Sequence, residues 1–275
     1  MLKALKSYFL FALVGCLFFA RPLLAEGIKG NLVSVEWLNE NLKKPDVLIL
    51  DASSTQNYTA NHIPGAVSVS FTQEENTSLG VNLSYGGGVD YFSEMVDIPY
   101  PFQEMPVSEM EKLFQSWGVS PDLKIVIYDQ GSSPLATRLF YSLYYHGFPT
   151  EKLYILDGGL AKWQEKRMPV TKDITPAPKR GSFKITKLNE DIKARLPEFL
   201  TASGDRVNNA LVEGLTPNWH FGELLSYSRP GHIPFAIMTP STDFFNPDKT
   251  YKSPQEIKKM LTYLGIKPEQ QIYTH

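Results

Sequence analysis

The 275-residue chain has a single cysteine and no excess of charge of either sign. The cysteine is Cys16, so no disulfide and no thiol nucleophile can form from the residues that follow it. Lys and Arg together number 27 and Asp and Glu 29, which gives a formal net charge of -2. Such a balance provides no basic surface for a nucleic-acid backbone or an anionic membrane. We therefore expect no nucleic-acid partner.

Long apolar runs are also absent beyond residue 26, so we expect no membrane span in the mature chain. Near the N-terminus, Lys3 and Lys6 precede an apolar run over residues 8–20, and a small residue, Ala25, precedes polar sequence. This pattern is typical of a signal peptide that is cleaved after a small residue. It predicts a signal peptide over residues 1–25 and a periplasmic or secreted protein whose mature chain contains no cysteine.

Cys16 supports an alternative location. The segment Leu13-Val14-Gly15-Cys16 resembles the lipobox at which bacterial lipoproteins are lipidated, which predicts a protein that is lipid-anchored through Cys16. Residues 17–20 continue the apolar run, however, whereas a polar linker normally follows a lipidated cysteine. Ordinary signal cleavage is therefore favoured, and the lipid anchor remains the alternative.

Two separate blocks of sequence recur within the chain, which has a length typical of about two domains. Residues 61–67, NHIPGAV, return as residues 231–237, GHIPFAI. Residues 108–122 return as residues 255–269, with Glu, Lys, Gly and Pro at matched places. Because both blocks recur in the same order, they indicate an internal duplication.

Each copy has the pattern of alternating strands and helices. The apolar residues 47–50 end at Asp51, and residues 210–212 end at Glu213, as buried parallel strands do where they open into a loop. The first copy continues with a strand at 124–128, a polar turn at 129–134, a helix at 135–145, a strand at 153–156 and a helix that contains Trp163. Ligands of open α/β sheets bind at such strand ends.

A second helix in each copy is predicted by helical spacing of apolar residues. Met110, Leu113, Phe114 and Trp117 follow this spacing in the first copy, and residues 257–264 repeat it. Gly118 and Gly265 follow the two helices as C-terminal caps, and Ser108 and Ser253 are the predicted N-caps. We expect Trp117 and Trp163 to lie in the core.

These patterns predict an α/β protein with two tandem domains, each a parallel sheet flanked by helices. The first domain is expected over residues 31–172, a linker rich in proline and glycine over 173–181, and the second domain over 182–275. In the second copy Ile272 matches Ile125 and His275 matches Tyr128, so the printed sequence ends just before the loop that the first copy completes. We expect the second domain to be incomplete, as in a C-terminally truncated chain.

Three motifs together resemble the rhodanese family: HIPGA at residues 62–66, GVSPDLKIVIY at 118–128 and LDGGLAKW at 156–163. The resemblance implies two rhodanese-like domains and a sulfurtransferase that takes sulfane sulfur from thiosulfate or 3-mercaptopyruvate. A cysteine of the last domain carries the sulfur as a persulfide and passes it to a thiophile such as cyanide. The implied partners are therefore a small-molecule sulfur donor and a thiophile acceptor, and neither a cofactor nor a metal is expected.

The resemblance also assigns the site residues. Asp129 stands at the nucleophile position of the first copy, where it cannot form a persulfide and is expected to be a structural anion. The nucleophile is expected immediately after His275, so the chain as printed is expected to be inactive. Leu215 replaces an arginine that often holds substrate, and Arg229 is a candidate for binding the substrate anion.

Other residues favour structural roles. His62 and His232 belong to the repeated HIP segment, and a catalytic imidazole would not be needed in both copies. Phe235 replaces the glycine of HIPGA, a residue that often supplies positive φ, and we expect a different backbone conformation there. The alternative function is a non-catalytic periplasmic anion- or partner-binding protein that uses the amide donors around Asp129 or the domain interface.

Overall fold

The structure, a computed structural model, describes residues 28–69, 92–93, 103–104, 106–132, 134–224 and 230–275. Within these ranges, none of the helices has the length and apolar character needed to cross a membrane. Two groups of strands and helices follow one another along the chain, and we call them the first unit and the second unit. The first ends with a helix at residue 165, and the second begins with a helix at residue 196.

The first unit is built on a six-stranded sheet. The described strands of the unit are β1 (Ile28–Lys29), β2 (Leu32–Val33), β3 (Val47–Asp51), β4 (Val67–Ser68), β5 (Phe92–Ser93), β6 (Gln103–Glu104), β7 (Lys124–Tyr128) and β8 (Leu153–Leu156). The sheet has the order β1-β2-β8-β7-β3-β4, while β5 and β6 form a separate antiparallel pair. Every pair in the sheet is parallel except β1 with β2.

The α-helices in the described part of this unit are α1 (Val35–Asn41), α2 (Thr55–Ala60), α3 (Val107–Ser116), α4 (Leu135–Tyr145) and α5 (Gly159–Glu165). A 3₁₀ turn, Thr150–Lys152, precedes β8. The strands predicted at 124–128 and 153–156 and the helix predicted at 135–145 are confirmed. The predicted N-cap Ser108 is wrong, because α3 already begins at Val107 and Pro106 occupies the cap position with its backbone at φ -52°.

The sheet is buried on both faces. Along β7, Ile125 and Ile127 face one core with α3 and α4, while Val126 and Tyr128 face another with α1 and α5. A strand that is covered on both sides reads as a continuous apolar run, which is why 124–128 shows no alternation. Trp117 and Trp163 lie in these two cores, as predicted from their helical spacing.

The segment that joins the units packs on the first one. The Gly181 amide donates to the Gln115 carbonyl at 2.8 Å, and the Phe183 ring lies 5.2 Å from the Phe148 ring in the same core. The Asn189 amide then donates to the Tyr145 carbonyl at 2.8 Å. Residues 183–189, which the sequence pattern placed in the second domain, therefore cover the first unit.

The second unit has a parallel three-stranded sheet. Its strands are β9 (Asn209–Glu213), β10 (Ile237–Met238) and β11 (Gln271–Thr274), in the order β10-β9-β11. Its helices are α6 (Leu196–Gly204), α7 (Pro217–His220) and α8 (Pro254–Tyr263), with 3₁₀ turns at Glu190–Ile192 and Ser241–Phe244. Ser253 is the N-cap of α8, as predicted, and forms a capping box with Glu256.

The strands of the two units pair in the same register. Leu50 of β3 lies opposite Ile127 of β7, and Val212 of β9 lies opposite Thr274 of β11. These are the partners expected if β9 corresponds to β3 and β11 to β7 in the sequence repeat. The neighbours on the other side, β4 and β10, also meet their central strands at corresponding residues. The loops that leave these strands therefore start from equivalent places in both units.

Gly159 provides a test of how tightly the strand ends of the first unit are packed. A Cβ at this position, where φ is +56°, would come within 2.6 Å of the Asp129 carbonyl oxygen. We expect Gly159→Ala to lower the free energy of unfolding by about 2–5 kcal/mol, through a strained backbone and overpacking. Urea unfolding measures this loss.

Gly204→Ala is the matched control, because nothing lies within 4 Å of a Cβ at this helix terminus. We expect it to change stability by less than about 1 kcal/mol. Equal unfolding midpoints for the two variants would contradict the packing of Gly159 against the Asp129 loop.

Candidate functional site

The loop that joins β7 to α4 is folded around the carboxylate of Asp129. The Gly131 amide donates to Asp129 Oδ1 at 2.8 Å, and the Ala136 amide donates to Oδ2 at 2.9 Å. Gly131 and Ser132 turn the backbone with φ of 96° and 58°. The amide groups at the start of α4 are thus directed at an anion, and in this unit the anion is the side chain of the protein itself.

The Asp129 side chain is buried, and its residue is only 4% exposed. Burial raises the pKa of Asp129 to about 6, and the nearby Asp51 carboxylate acts in the same direction. The hydrogen bonds from Ala136 and Gly131 oppose this shift, since they stabilise the ionised form. Burial dominates, so deprotonation of Asp129 costs free energy in the folded state despite its two amide donors.

A segment of the second unit covers this loop. The Tyr251 amide donates to Asp157 Oδ1 at 2.8 Å, and the Lys162 ammonium pairs with Asp248 at 2.9 Å. Burial raises the pKa of the Tyr251 phenol, and the carboxylates of Asp129 and Asp157 raise it further. Residues 248–251 therefore contact residues 157–162, which are hydrogen-bonded to the Asp129 loop.

The second unit repeats the backbone geometry at its own strand ends. The Ala52 amide donates to the Tyr128 carbonyl at 2.8 Å, and the Gly214 amide makes the corresponding contact with the His275 carbonyl at 3.4 Å. His275 thus occupies the place of Tyr128. Burial lowers the pKa of the His275 imidazole, while the Glu213 carboxylate acts in the opposite direction.

The structure brings together three side chains that the sequence pattern did not connect. Glu213, His220 and His232 each offer a potential metal ligand atom, and these atoms lie within 4.8 Å of one another. A signal for this cluster was present in the repeat, because α7 occupies the place of α2 and His220 that of Tyr58. The repeat alone does not indicate the cluster, because position 58 is a tyrosine and only the histidines of the HIP segment occur in both copies.

Of the other predicted site residues, two lie outside the described ranges and two are described. Arg229 and Cys16 both lie outside the residues that the structure describes. Leu215 is 43% exposed just beyond β9, where it offers no cation to an anionic substrate. Phe235 has φ of 69° and Gly65 has φ of 81°, so the expected change of backbone conformation at Phe235 is wrong. The phenylalanine keeps the left-handed conformation of the glycine that it replaces.

His62 has the environment of a structural histidine. It is fully buried, its Nδ1 lies 2.8 Å from the Tyr58 carbonyl oxygen, and its Nε2 lies 3.1 Å from that of Asp173. The ring stacks on Tyr58 with centroids 3.8 Å apart. Both ring nitrogens thus face backbone carbonyl groups, so neither is directed at a substrate.

The raised pKa of Asp129 predicts how the free energy of unfolding depends on pH. Its pKa is raised to about 6 in the folded state from an ordinary value near 4, so the folded protein binds more protons in this window. The stabilisation of the folded state by the proton on Asp129 is present below pH 4 and is lost as the pH rises through 6. Asparagine does not titrate, so we expect Asp129→Asn to gain up to about 3 kcal/mol relative to wild type between pH 4 and pH 7.

The measurement for Asp129 is urea unfolding of both proteins at pH 4, 5, 6 and 7. Comparison of the two proteins at each pH cancels the titration of groups that they share. Stability curves that run parallel over this range would contradict the raised pKa of Asp129.

The sequence of the chain is similar to those of known proteins over most of its length. The chain is 26% identical to the thiosulfate sulfurtransferase of Azotobacter vinelandii over 238 residues, which cover 86% of this chain and 79% of that protein. It is 28% identical to the sulfur carrier protein TtuD of Thermus thermophilus, over 89% of this chain and 81% of that protein. Both matches are far longer than one unit.

A solved structure agrees in fold. The crystal structure of SseA from Escherichia coli, described as a 3-mercaptopyruvate sulfotransferase, superposes with a TM-score of 0.72 at 23% identity. The match covers 90% of this chain and 88% of that one. The family model for the rhodanese-like domain matches residues 34–166, which contain the Asp129 loop. Residues 34–166 therefore form a rhodanese-like domain.

Proposed function

We propose that this chain has the scaffold of a rhodanese-type sulfurtransferase, an enzyme that moves sulfane sulfur from thiosulfate or 3-mercaptopyruvate to a thiophile such as cyanide. The observation that carries the proposal is the amide cradle of the Asp129 loop, where two N–H groups meet a buried anion at 2.8 and 2.9 Å. A thiolate nucleophile needs the same stabilisation of negative charge to exist near neutral pH. The names of the curated relatives point to the same chemistry.

The proposal places the nucleophile in the second unit. We infer that the second unit, from α6 to β11, belongs to a second rhodanese-like domain, since β9, β10 and β11 pair in the register of β3, β4 and β7. By this correspondence a cysteine is expected at the position after His275, at the start of a loop equivalent to 129–134. Its thiolate would attack the outer sulfur of thiosulfate, release sulfite and keep that sulfur as a persulfide. Cyanide would then remove the sulfur as thiocyanate and regenerate the thiolate.

The alternative is a non-catalytic protein that binds an anion or a partner at the first unit. The contacts of the Asp129 loop argue against an external anion there, because its donors already serve the Asp129 carboxylate. At the interface of the units the Tyr251 amide also contacts Asp157. A partner at the interface of the units would have to displace these contacts.

Thiocyanate formation from thiosulfate and cyanide tests the assignment of the nucleophile. We expect the 275-residue chain to give no turnover, because neither Asp129 nor any residue after Cys16 supplies a thiol. Cys16→Ser is the control that removes the remaining thiol. Turnover that survives this substitution would contradict a persulfide mechanism.

We further propose that the protein is exported, with cleavage of a signal peptide after Ala25. The support is the pattern of residues 1–25, which lie outside the part of the chain that the structure describes. Mass spectrometry of the N-terminus of protein purified from its native host tests this proposal. We expect a free N-terminus at Glu26, whereas a lipid-modified N-terminus at Cys16 would establish the lipid-anchored alternative.

A further inference from the structure

Three side chains meet at the carboxyl edge of the second sheet, and we call them the Glu–His cluster: Glu213, His220 and His232. Glu213 is the last residue of β9, His220 is the last residue of α7, and His232 precedes β10 in the HIP segment. One ligand atom from each lies within 4.8 Å of the others. The cluster thus joins three elements that are separated in sequence.

The contacts within the cluster orient each group. His220 Nδ1 is hydrogen-bonded to Glu213 Oε2, and the His220 and His232 rings stack with centroids 3.6 Å apart. His232 Nδ1 lies 2.8 Å from the backbone carbonyl oxygen of His220. Because a carbonyl can only accept, Nδ1 of His232 carries the proton, and the lone pair of the neutral ring lies on Nε2.

This arrangement is the one that metal-binding histidines use. A ligating histidine normally donates its other N–H to a carboxylate or a backbone carbonyl, which fixes the tautomer and the ring orientation. His232 has such a carbonyl partner in residue 220. His62, its counterpart in the first unit, differs because its Nε2 already faces the Asp173 carbonyl oxygen at 3.1 Å.

In the first unit a tyrosine takes the place of the second imidazole. There Asp51, Tyr58 and His62 take the places of Glu213, His220 and His232, and the Tyr58 ring stacks on His62 as His220 stacks on His232. The Tyr58 hydroxyl donates to the Ala66 carbonyl oxygen at 2.9 Å. The tyrosine is thus committed to a structural hydrogen bond, whereas an imidazole at this place adds a nitrogen ligand.

We propose that the Glu–His cluster binds a divalent late first-row transition-metal ion, of which Zn²⁺ is the probe of choice. Two imidazoles and one carboxylate form a ligand set that suits Zn²⁺, with a fourth position left open. The Glu213 carboxylate, only 1% exposed, supplies the negative charge that a buried cation requires. His232 lies on the exposed side of the cluster, which provides a route of entry for the ion.

Coordination of one ion requires the two imidazole rings to change their relative orientation. Two nitrogens bound to one tetrahedral Zn²⁺ at about 2.0–2.1 Å are about 3.3 Å apart. The ligand atoms of the cluster lie within 4.8 Å of one another, and the planes of the two rings are inclined by only 9°. Parallel lone pairs do not converge on one ion, so the two rings must tilt toward each other when the metal binds.

The test is calorimetric titration of chelator-treated chain with Zn²⁺ alone. We expect saturable binding of one equivalent by the wild-type chain. We expect His220→Tyr and Glu213→Gln each to weaken binding by more than about 10-fold, the smallest loss typical even of residues that only orient a ligand. Glu223→Gln, which removes the exposed carboxylate three residues after His220, should bind as wild type does.

His220→Tyr reproduces the residue found in the first unit, so it is designed to preserve packing. Thermal unfolding without metal checks that the variant is folded, and added Zn²⁺ should raise the unfolding temperature of wild type but not of this variant. Glu213→Gln provides a second, nearly isosteric variant for the same comparison. Absence of saturable Zn²⁺ binding by wild type, or unchanged affinity in both variants, would overturn the proposal. No activity is measured, so the result is independent of the proposed sulfurtransferase function.

Discussion

Unshifted parallel pairing of the central strands determines where every loop of this protein begins. In the first unit β3 and β7 pair residue by residue from Val47 with Lys124 to Asp51 with Tyr128. Their carboxyl ends therefore lie side by side, and the polar residues that follow them share one edge of the sheet. A shift of one residue would turn the buried side chains to the opposite face and separate Asp51 from the Asp129 loop.

This constraint also explains why acidic groups at the strand ends are costly. Asp51 is fully buried and Asp129 is nearly so, and burial raises the pKa of both carboxyl groups. The backbone partly offsets the cost, because Ser53 and Gly131 donate amides to these two side chains. The amide dipoles therefore reduce the cost of negative charge at the strand ends, although burial remains the larger effect.

Much of this architecture was accessible from the sequence, for identifiable reasons. Apolar runs such as 124–128 are unambiguous because both faces of the sheet are covered, and the capping box at Ser253 has a local signature. The N-cap of α3 was mispredicted because Pro106 starts the helix before Ser108. The place of Phe183 depends on tertiary contacts with Phe114 and Phe148, which no local pattern encodes.

The Glu–His cluster was less predictable from the sequence because its chemistry depends on residues that differ between the two similar units. The two units share His62 and His232, and Nδ1 of each lies 2.8 Å from a backbone carbonyl oxygen. At the adjacent position the units differ: the Tyr58 hydroxyl bonds to the Ala66 carbonyl, whereas His220 contacts the Glu213 carboxylate. One change from phenol to imidazole therefore replaces a self-contained hydrogen bond with a group that can share its lone pair with a cation. Because the two units have the same strand register, their chemistry differs through the residues that do not repeat.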